Sequence, residues 1–515
     1  MKADLKSNVF VRHPYEQQLI ELDEDEWLET IREDIRNGRY TPLPASICEV
    51  PKGDGLVRPG SQLTLRDAVM YTACVGACLP QIIAAVGPRS SPDFAHRLNA
   101  DPAAANWIVN AAADWEAFRK KSLETVDGGS VCVAISDVTG FYENIDTLIS
   151  DLRAIKSPEE VIEQLRACLL EWAQFDAQSI PQGFHASDIL SKLYLANVDA
   201  RLRQEGFVHF RYSDDIRVFC KSTAEAKRAL LCLTLLFHRR GLNIQSAKSE
   251  ILPASEARTK IESIQPTLAA ISKRYQGIII DLTIDDSYTG ESGDDPGPDV
   301  KFDPNDASLE VLSEAFKTYF LGDRREFNKT LFRFVINRLG AKKNTLAVGR
   351  CVDLLASHPE ETKTILNYFR VTKAIHEVSD AVVRYLMSGD CVYDYQRYQI
   401  LRWLTEAISE PSDEVMQFAR HIAGERRPRF LQSVAREFLG KFGVAADLEQ
   451  LEAAYDDAQN DLERSELICS IAKMETRRRD RFLARARNDS DLCGRAVRWV
   501  KEKALQAPPR QRAKG

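Results

Sequence analysis

Three aspartates carry the chemistry open to this chain. Asp214 and Asp215 stand side by side in VHFRYSDDIRVFC (208–220), where two β-rich runs flank a tight turn. Asp137 ends the apolar run of VCVAISDVTGFYENID (131–146). An Asp in a turn is common for conformational reasons alone, because its side chain bonds nearby backbone. A further acid at a strand end, beside the tip of an apolar hairpin, means more: it is how a sheet gathers carboxylates for two divalent ions. Two-metal phosphoryl transfer needs ions about 3.5–4 Å apart, one activating the attacking oxygen and one stabilising the leaving oxygen. Hard carboxylate oxygens suit Mg²⁺ or Mn²⁺.

The elements that must position these acids are legible around them. Alternation along the hairpin strands sets Val208, Phe210 and Tyr212 on one face and leaves Asp214 and Asp215 in the connecting turn. In SIPQGFHASDILSKLYLANVDARL (179–202), Pro181-Gln182-Gly183 reads as a turn, and Ser187 or Asp188 as the cap of the helix that follows. Ile189, Leu190, Leu193, Leu195 and Val198 give that helix a buried face. His185, alone at the helix start, reads as a capping or packing residue rather than a metal ligand. RRGLNIQSAKSEIL (239–252) ends a helix at Gly241 and presents Lys248 before a short strand.

Taken in chain order, SDVTGFY, PQGFHASDILSKLYL, YSDD and GLNIQSAK resemble motifs A, B, C and D of the reverse-transcriptase palm. Upstream, VPKGDGLVRPGSQLTLRDAV (50–69) is similar to the PKxxGxxRP fingers segment of bacterial reverse transcriptases. The resemblance covers roughly residues 45 to 255. By motif position it implies that Asp137 and Asp214 are shared metal ligands for two Mg²⁺ or Mn²⁺ ions, with Asp215 the third carboxylate and the Val138 carbonyl a further ligand. It implies that Tyr142 is the steric gate against a ribose 2′-hydroxyl, hence a preference for dNTPs. Gln182 and Gly183 would approach the incoming nucleotide, Lys52 and Arg58 its triphosphate, and Lys248 would protonate departing pyrophosphate.

At 515 residues the chain exceeds one core, and its 44% hydrophobic and 28% charged residues are ordinary for a globular protein. The net charge of −7 and pI near 5.8 are unusual for a polymerase, which needs a basic groove for phosphates. The eleven cysteines form no CxxC pair and read as reduced, buried thiols. Charge interrupts every apolar run of the start, and no uninterrupted apolar stretch approaches the ~18 residues of a span, so the expectation is a cytoplasmic protein without membrane contact.

The fold expected is α/β plus all-α. A fingers/palm domain, an antiparallel sheet with helices, runs over 1–285, with strands at 131–138, 208–212, 216–220 and 277–284. DDSYTGESGDDPGPDVKFDPND, rich in acid, Gly and Pro, makes 286–306 a linker or loop. Residues 307–515 carry apolar residues at three- and four-residue spacing and read as an α-helical, HEAT-like array. The last 45 residues, 471–515, hold fourteen Lys/Arg against five Asp/Glu, either a nucleic-acid contact or a solvated face.

An acidic linker leading into a helical half resembles the abortive-infection (Abi) polymerases of bacterial phage defence, particularly the type carried by P2-like prophages. That resemblance implies homo-oligomers and untemplated DNA synthesis primed from a protein hydroxyl, with product DNA attached covalently. Fifteen tyrosines are available, of which Tyr15 and Tyr40, in polar stretches before the fingers motif, are first suspects. A templated enzyme of retron or group II intron kind, and a non-catalytic nucleic-acid-binding scaffold, stand as alternatives.

Overall fold

The apolar run before Asp137 folds as the centre of a sheet, because its alternate residues have a helix to cover on either side. The computed structural model describes residues 10–53, 55–87, 92–104, 106–109, 111–139, 145–173, 180–263, 265–274, 307–322, 327–424 and 428–506. In chain order, α1 (Glu16–Glu21) and α2 (Glu24–Arg36) precede the hairpin β1 (Ser46–Gly53) and β2 (Leu56–Gln62). Then come α3 (Leu65–Val86), α4 (Ala111–Asp127), β3 (Cys132–Ser136), β4 (Val138–Thr139), α5 (Ile145–Ala154), α6 (Glu159–Trp172) and α7 (His185–Gln204). The hairpin β5 (Val208–Tyr212) and β6 (Asp215–Cys220) leads to α8 (Thr223–Arg239), β7 (Asn243–Ile244), β8 (Glu250–Pro253) and α9 (Ala254–Glu262). From Leu309 to Gln506 every regular element among the described residues is helical.

The chain divides into two compact units. The first comprises 1–10, 42–45 and 67–350. Its sheet has the order β5-β6-β3-β8 with every pair antiparallel, and β4 pairs separately with β7. Val133, Ile135 and Phe219 face Val126 of α4 and Ala257 and Ile261 of α9, which closes one core. α7 departs from the one-sided helix of the sequence reading. It is buried on nearly every side, and its polar residues Asp188, Ser191, Lys192 and Asp199 are buried with the apolar ones. Such burial is tolerated because the charges are paired: Lys192 Nζ lies 2.5 Å from Asp93 Oδ2, and Arg211 Nη2 lies 2.8 Å from Asp93 and 2.7 Å from Asp199.

α3 also departs from expectation. With 22 residues and an 18-residue window of mean hydropathy 1.8, it is long and apolar enough to cross a bilayer. Polar residues interrupt its apolar run, but a window average absorbs isolated polar ones. Tyr71, Cys74, Val75, Cys78, Leu79 and Ile82 of α3 are buried within the protein.

The second unit comprises 11–41, 46–66 and 351–515. Its boundaries differ from a simple division at the acidic segment. Cys48 and Val50 of β1 are buried, and that strand packs on the helices Asp394–Ala407 and Arg429–Phe442. The N-terminal segment is tied in by buried polar bonds: His13 Nδ1 lies 3.1 Å from Glu466, and the Arg12 amide donates to the Tyr398 hydroxyl at 2.9 Å. Long-range pairing of this kind has no signature in local sequence. The helices at 309–320, 348–357, 362–371 and 394–407 fall where the apolar spacing predicts them. The stretches 277–284 and 286–306 lie outside the described residues. All eleven cysteines are free thiols, ten buried and Cys232 partly so; burial pushes Cys74 up to about 12.

Candidate active site

Strand ends bring the acids into one neighbourhood. β3 and β6 pair as far as Ser136 opposite Ile216, so Asp137 and Asp215 each flank the last pair of that ladder. Asp137 follows the last residue of β3, and its chain continues at once into β4. Its amide donates to Ser249 Oγ at 3.4 Å and its carbonyl accepts from the Gln245 amide at 2.9 Å, so the 243–249 segment fixes the strand end. From that segment Lys248, the last residue of a 3₁₀ turn, places Nζ 2.6 Å from Asp137 Oδ2.

The β5–β6 hairpin corrects one expectation. Asp215 does not share the turn with Asp214; it opens β6, paired with Tyr212, and the turn is Ser213-Asp214. Ser213 has φ +54, the left-handed geometry required at the first central position of the two-residue loops that match strand twist. Arg211 Nη1 donates to the Ser213 carbonyl at 3.0 Å and braces that turn. Phe210 and Tyr212 share a face as expected, packed with Phe94, Phe118 and Trp115, while Val208 is exposed.

Asp215 Oδ2 accepts from Arg217 Nη2 at 2.9 Å, whereas Asp215 Oδ1 is buried without a hydrogen-bond partner. Among the described residues, no group of three or more His, Cys, Asp or Glu side chains is gathered tightly enough to hold a metal ion. Asp137 and Asp215 each turn one oxygen to a cation of the chain instead. The donor set nonetheless fits a hard divalent ion, with two carboxylates flanking the end of one strand pair and an orphaned buried oxygen on one of them.

The other predicted positions lie on different elements. Val138 is buried in β4 opposite Ile244. Gln182 and Gly183, the latter at φ +94, form a turn before α7. The helix cap is Phe184, not Ser187 or Asp188, because the helix already begins at His185. The Ser187 hydroxyl donates back to the Pro181 carbonyl and is itself 2.8 Å from the Tyr71 hydroxyl, so it ties the turn to the helix. Lys52 and Arg58 sit half-buried on the β1–β2 hairpin of the second unit rather than in an open loop. Tyr142 lies outside the described residues.

Tyr15, a suspected primer, is buried edge-on against Trp499, with ring centroids 5.4 Å apart. Burial pushes its hydroxyl well above the usual tyrosine range. Tyr40 is half-buried beneath the Arg66 guanidinium, 5.3 Å from its ring centre.

An antiparallel sheet with helices, acids at a strand end and at a hairpin tip, and a lysine on the neighbouring segment define a nucleotidyl-transferring palm. Residues 50–265 match the sequence profile of the family described as reverse transcriptase (RNA-dependent DNA polymerase). The chain therefore carries a reverse-transcriptase domain followed by a helical region, and the protein is a reverse-transcriptase-like nucleotidyltransferase, a DNA polymerase. No curated protein matches it.

Proposed function

We propose that the protein is a DNA polymerase that works without a template, primes from its own hydroxyl and acts in abortive-infection phage defence as a homo-oligomer. The observation that supports the catalytic part is the β3–β6 pairing, whose last pair, Ser136 opposite Ile216, is flanked by Asp137 and Asp215, with the Asp214 turn next along the hairpin. Asp137, Asp214 and Asp215, with the Val138 carbonyl, would hold two Mg²⁺ or Mn²⁺ ions. Those ions, when bound, activate the primer hydroxyl and stabilise the leaving pyrophosphate. Lys248 would give that pyrophosphate a proton once it leaves Asp137. Gln182 and Gly183 would approach the incoming dNTP, and by motif position Lys52 and Arg58 are assigned to its triphosphate and Tyr142 to the 2′-position.

Support for template-free synthesis comes from charge. The net charge is −7, and three cations of the basic C-terminal stretch pair with acids nearby: Arg478 with Glu449 and Glu452 at 2.6 Å each, Arg479 with Asp480 and Arg485 with Asp456 at 3.2 Å each. A polymerase that grips a long template–primer duplex needs such cations for phosphates. The burial of Tyr15 counts against it as primer and leaves Tyr40 the better suspect of the two.

Purified protein incubated with Mn²⁺ and labelled dNTPs, without template or primer, is expected to carry label on a denaturing gel. Asp214→Ala is expected to abolish that label. Incorporation only after RNA and primer are added would establish a templated reverse transcriptase instead, and none under any condition a scaffold.

A further inference from the structure

Arg217 is an unusual residue for the middle of a buried strand, and it is held from three directions. It lies on β6 two residues after Asp215, so both side chains leave the same face of the sheet. Its side chain is 8% exposed. Its guanidinium carbon stands 4.1 Å from the centre of the Phe118 ring and 5.8 Å from that of Trp115, both on α4. Nη1 donates to Ser122 Oγ at 3.4 Å, and Nη2 donates to Asp215 Oδ2 at 2.9 Å. Trp115 in turn meets Tyr212 edge-on at 4.8 Å, so the same aromatic group packs against the residue paired with Asp215.

We propose that Arg217 is the positioning residue of the third carboxylate. Clamped by Phe118 and Ser122, its guanidinium holds Asp215 by Oδ2 and leaves the buried, unpartnered Oδ1 as the oxygen that takes a divalent ion. The proposal rests on the metal-binding reading given above and adds what sets the geometry. A carboxylate that accepts from a fixed donor loses its freedom to rotate about Cβ–Cγ or to bridge both oxygens to one cation. Outer-shell partners of metal-ligating carboxylates act in this way. Charge alone predicts the opposite sign, because a cation beside the carboxylate repels an incoming metal ion. The two effects separate in Arg217→Lys, which keeps the charge and loses the planar fork and the stacking.

The test uses the full-length protein without nucleotide, titrated with Mn²⁺ and followed by the electron paramagnetic resonance of the free ion. Arg217→Lys is expected to weaken the tightest Mn²⁺ site about tenfold, the lower end for loss of an outer-shell partner. Asp214→Asn should weaken it at least as much, and Phe118→Leu, which leaves the Asp215 contact in place, by less. In the polymerase assay Arg217→Lys should lower kcat while KM for dNTP stays unchanged. A purely structural role would lower the melting temperature and leave Mn²⁺ affinity untouched. If Arg217→Lys binds Mn²⁺ as wild type does while Asp214→Asn does not, Arg217 does not position Asp215, and the metal assignment stands. If neither substitution changes Mn²⁺ binding, the metal reading falls and this proposal with it. Should Arg217→Lys fail to fold, an unchanged Mn²⁺ affinity in Phe118→Leu overturns the proposal and a weakened one supports it.

Discussion

Lys248 reaches Asp137 at 2.6 Å with half of its side chain in solvent. An ion pair this exposed contributes about 0–1 kcal/mol to stability. Its chemical value is larger, since a positioned general acid is worth roughly 10²–10⁴ in rate. Lys248→Ala is therefore expected to melt with the wild type and to lose about 10²-fold in kcat, read from dNTP incorporation at saturating Mn²⁺. Urea denaturation alongside the assay checks both halves. The aspartates and Lys248 were legible because they fall in an ordered set of motifs. Arg217 was not: it reads as one polar residue in the run IRVFC, and its partners Phe118 and Ser122 sit about a hundred residues upstream on a helix with no motif.

At the scale of the element, the helix α7 and strand β5 carry a charged layer behind the hairpin. Asp199 is fully buried. Burial alone would raise its pKa, but Arg211 and His209 hold it down to about 2. His209 Nε2 lies 3.2 Å from Asp199, and Arg211 contacts Asp199 with both Nε and Nη2. The same Arg211 braces the Ser213 carbonyl, which links this layer to the turn that carries Asp214. Removing one partner of a buried pair strands the other charge, at a cost of about 3–5 kcal/mol. Asp199→Asn is expected to lose that much in urea denaturation at pH 7, with the difference shrinking as pH falls through about 2, where wild-type Asp199 itself protonates. Apolar spacing identified α7 and assigned it one buried face. It could not show that Lys192 and Asp199 are also inside, because a charged residue is placed inside only by a partner distant in sequence.

At the scale of the whole molecule, the second unit contains a carboxyl with a pH signature. Burial pushes Glu437 up to about 7, reinforced by Glu406 and Glu466 and opposed by Arg402 and Lys441. Folded, it stays protonated to about pH 7; unfolded, it releases its proton near 4.5. Its contribution is therefore complete below about 4.5 and is lost as pH rises through 7. Glu437→Gln, neutral at every pH, is expected to match wild-type stability near pH 4.5 and to exceed it by about 2–3 kcal/mol at pH 8, followed by thermal melts across that range.

The sequence by itself determined where the three aspartates fall, the order of motifs around them, the strands at 208–212 and 216–220 and the helical character of the described residues after 306. Each is set by local alternation, helical period or motif spacing, all of which act over a few residues. Only the tertiary structure decided that Asp215 lies in the strand and not in the turn, that α7 buries charged residues along with its apolar ones, and that residues 11–41 and 46–66 pack with the C-terminal helices. Each of these depends on which distant surfaces bury one another, and contact energy between segments hundreds of residues apart leaves no period in the chain.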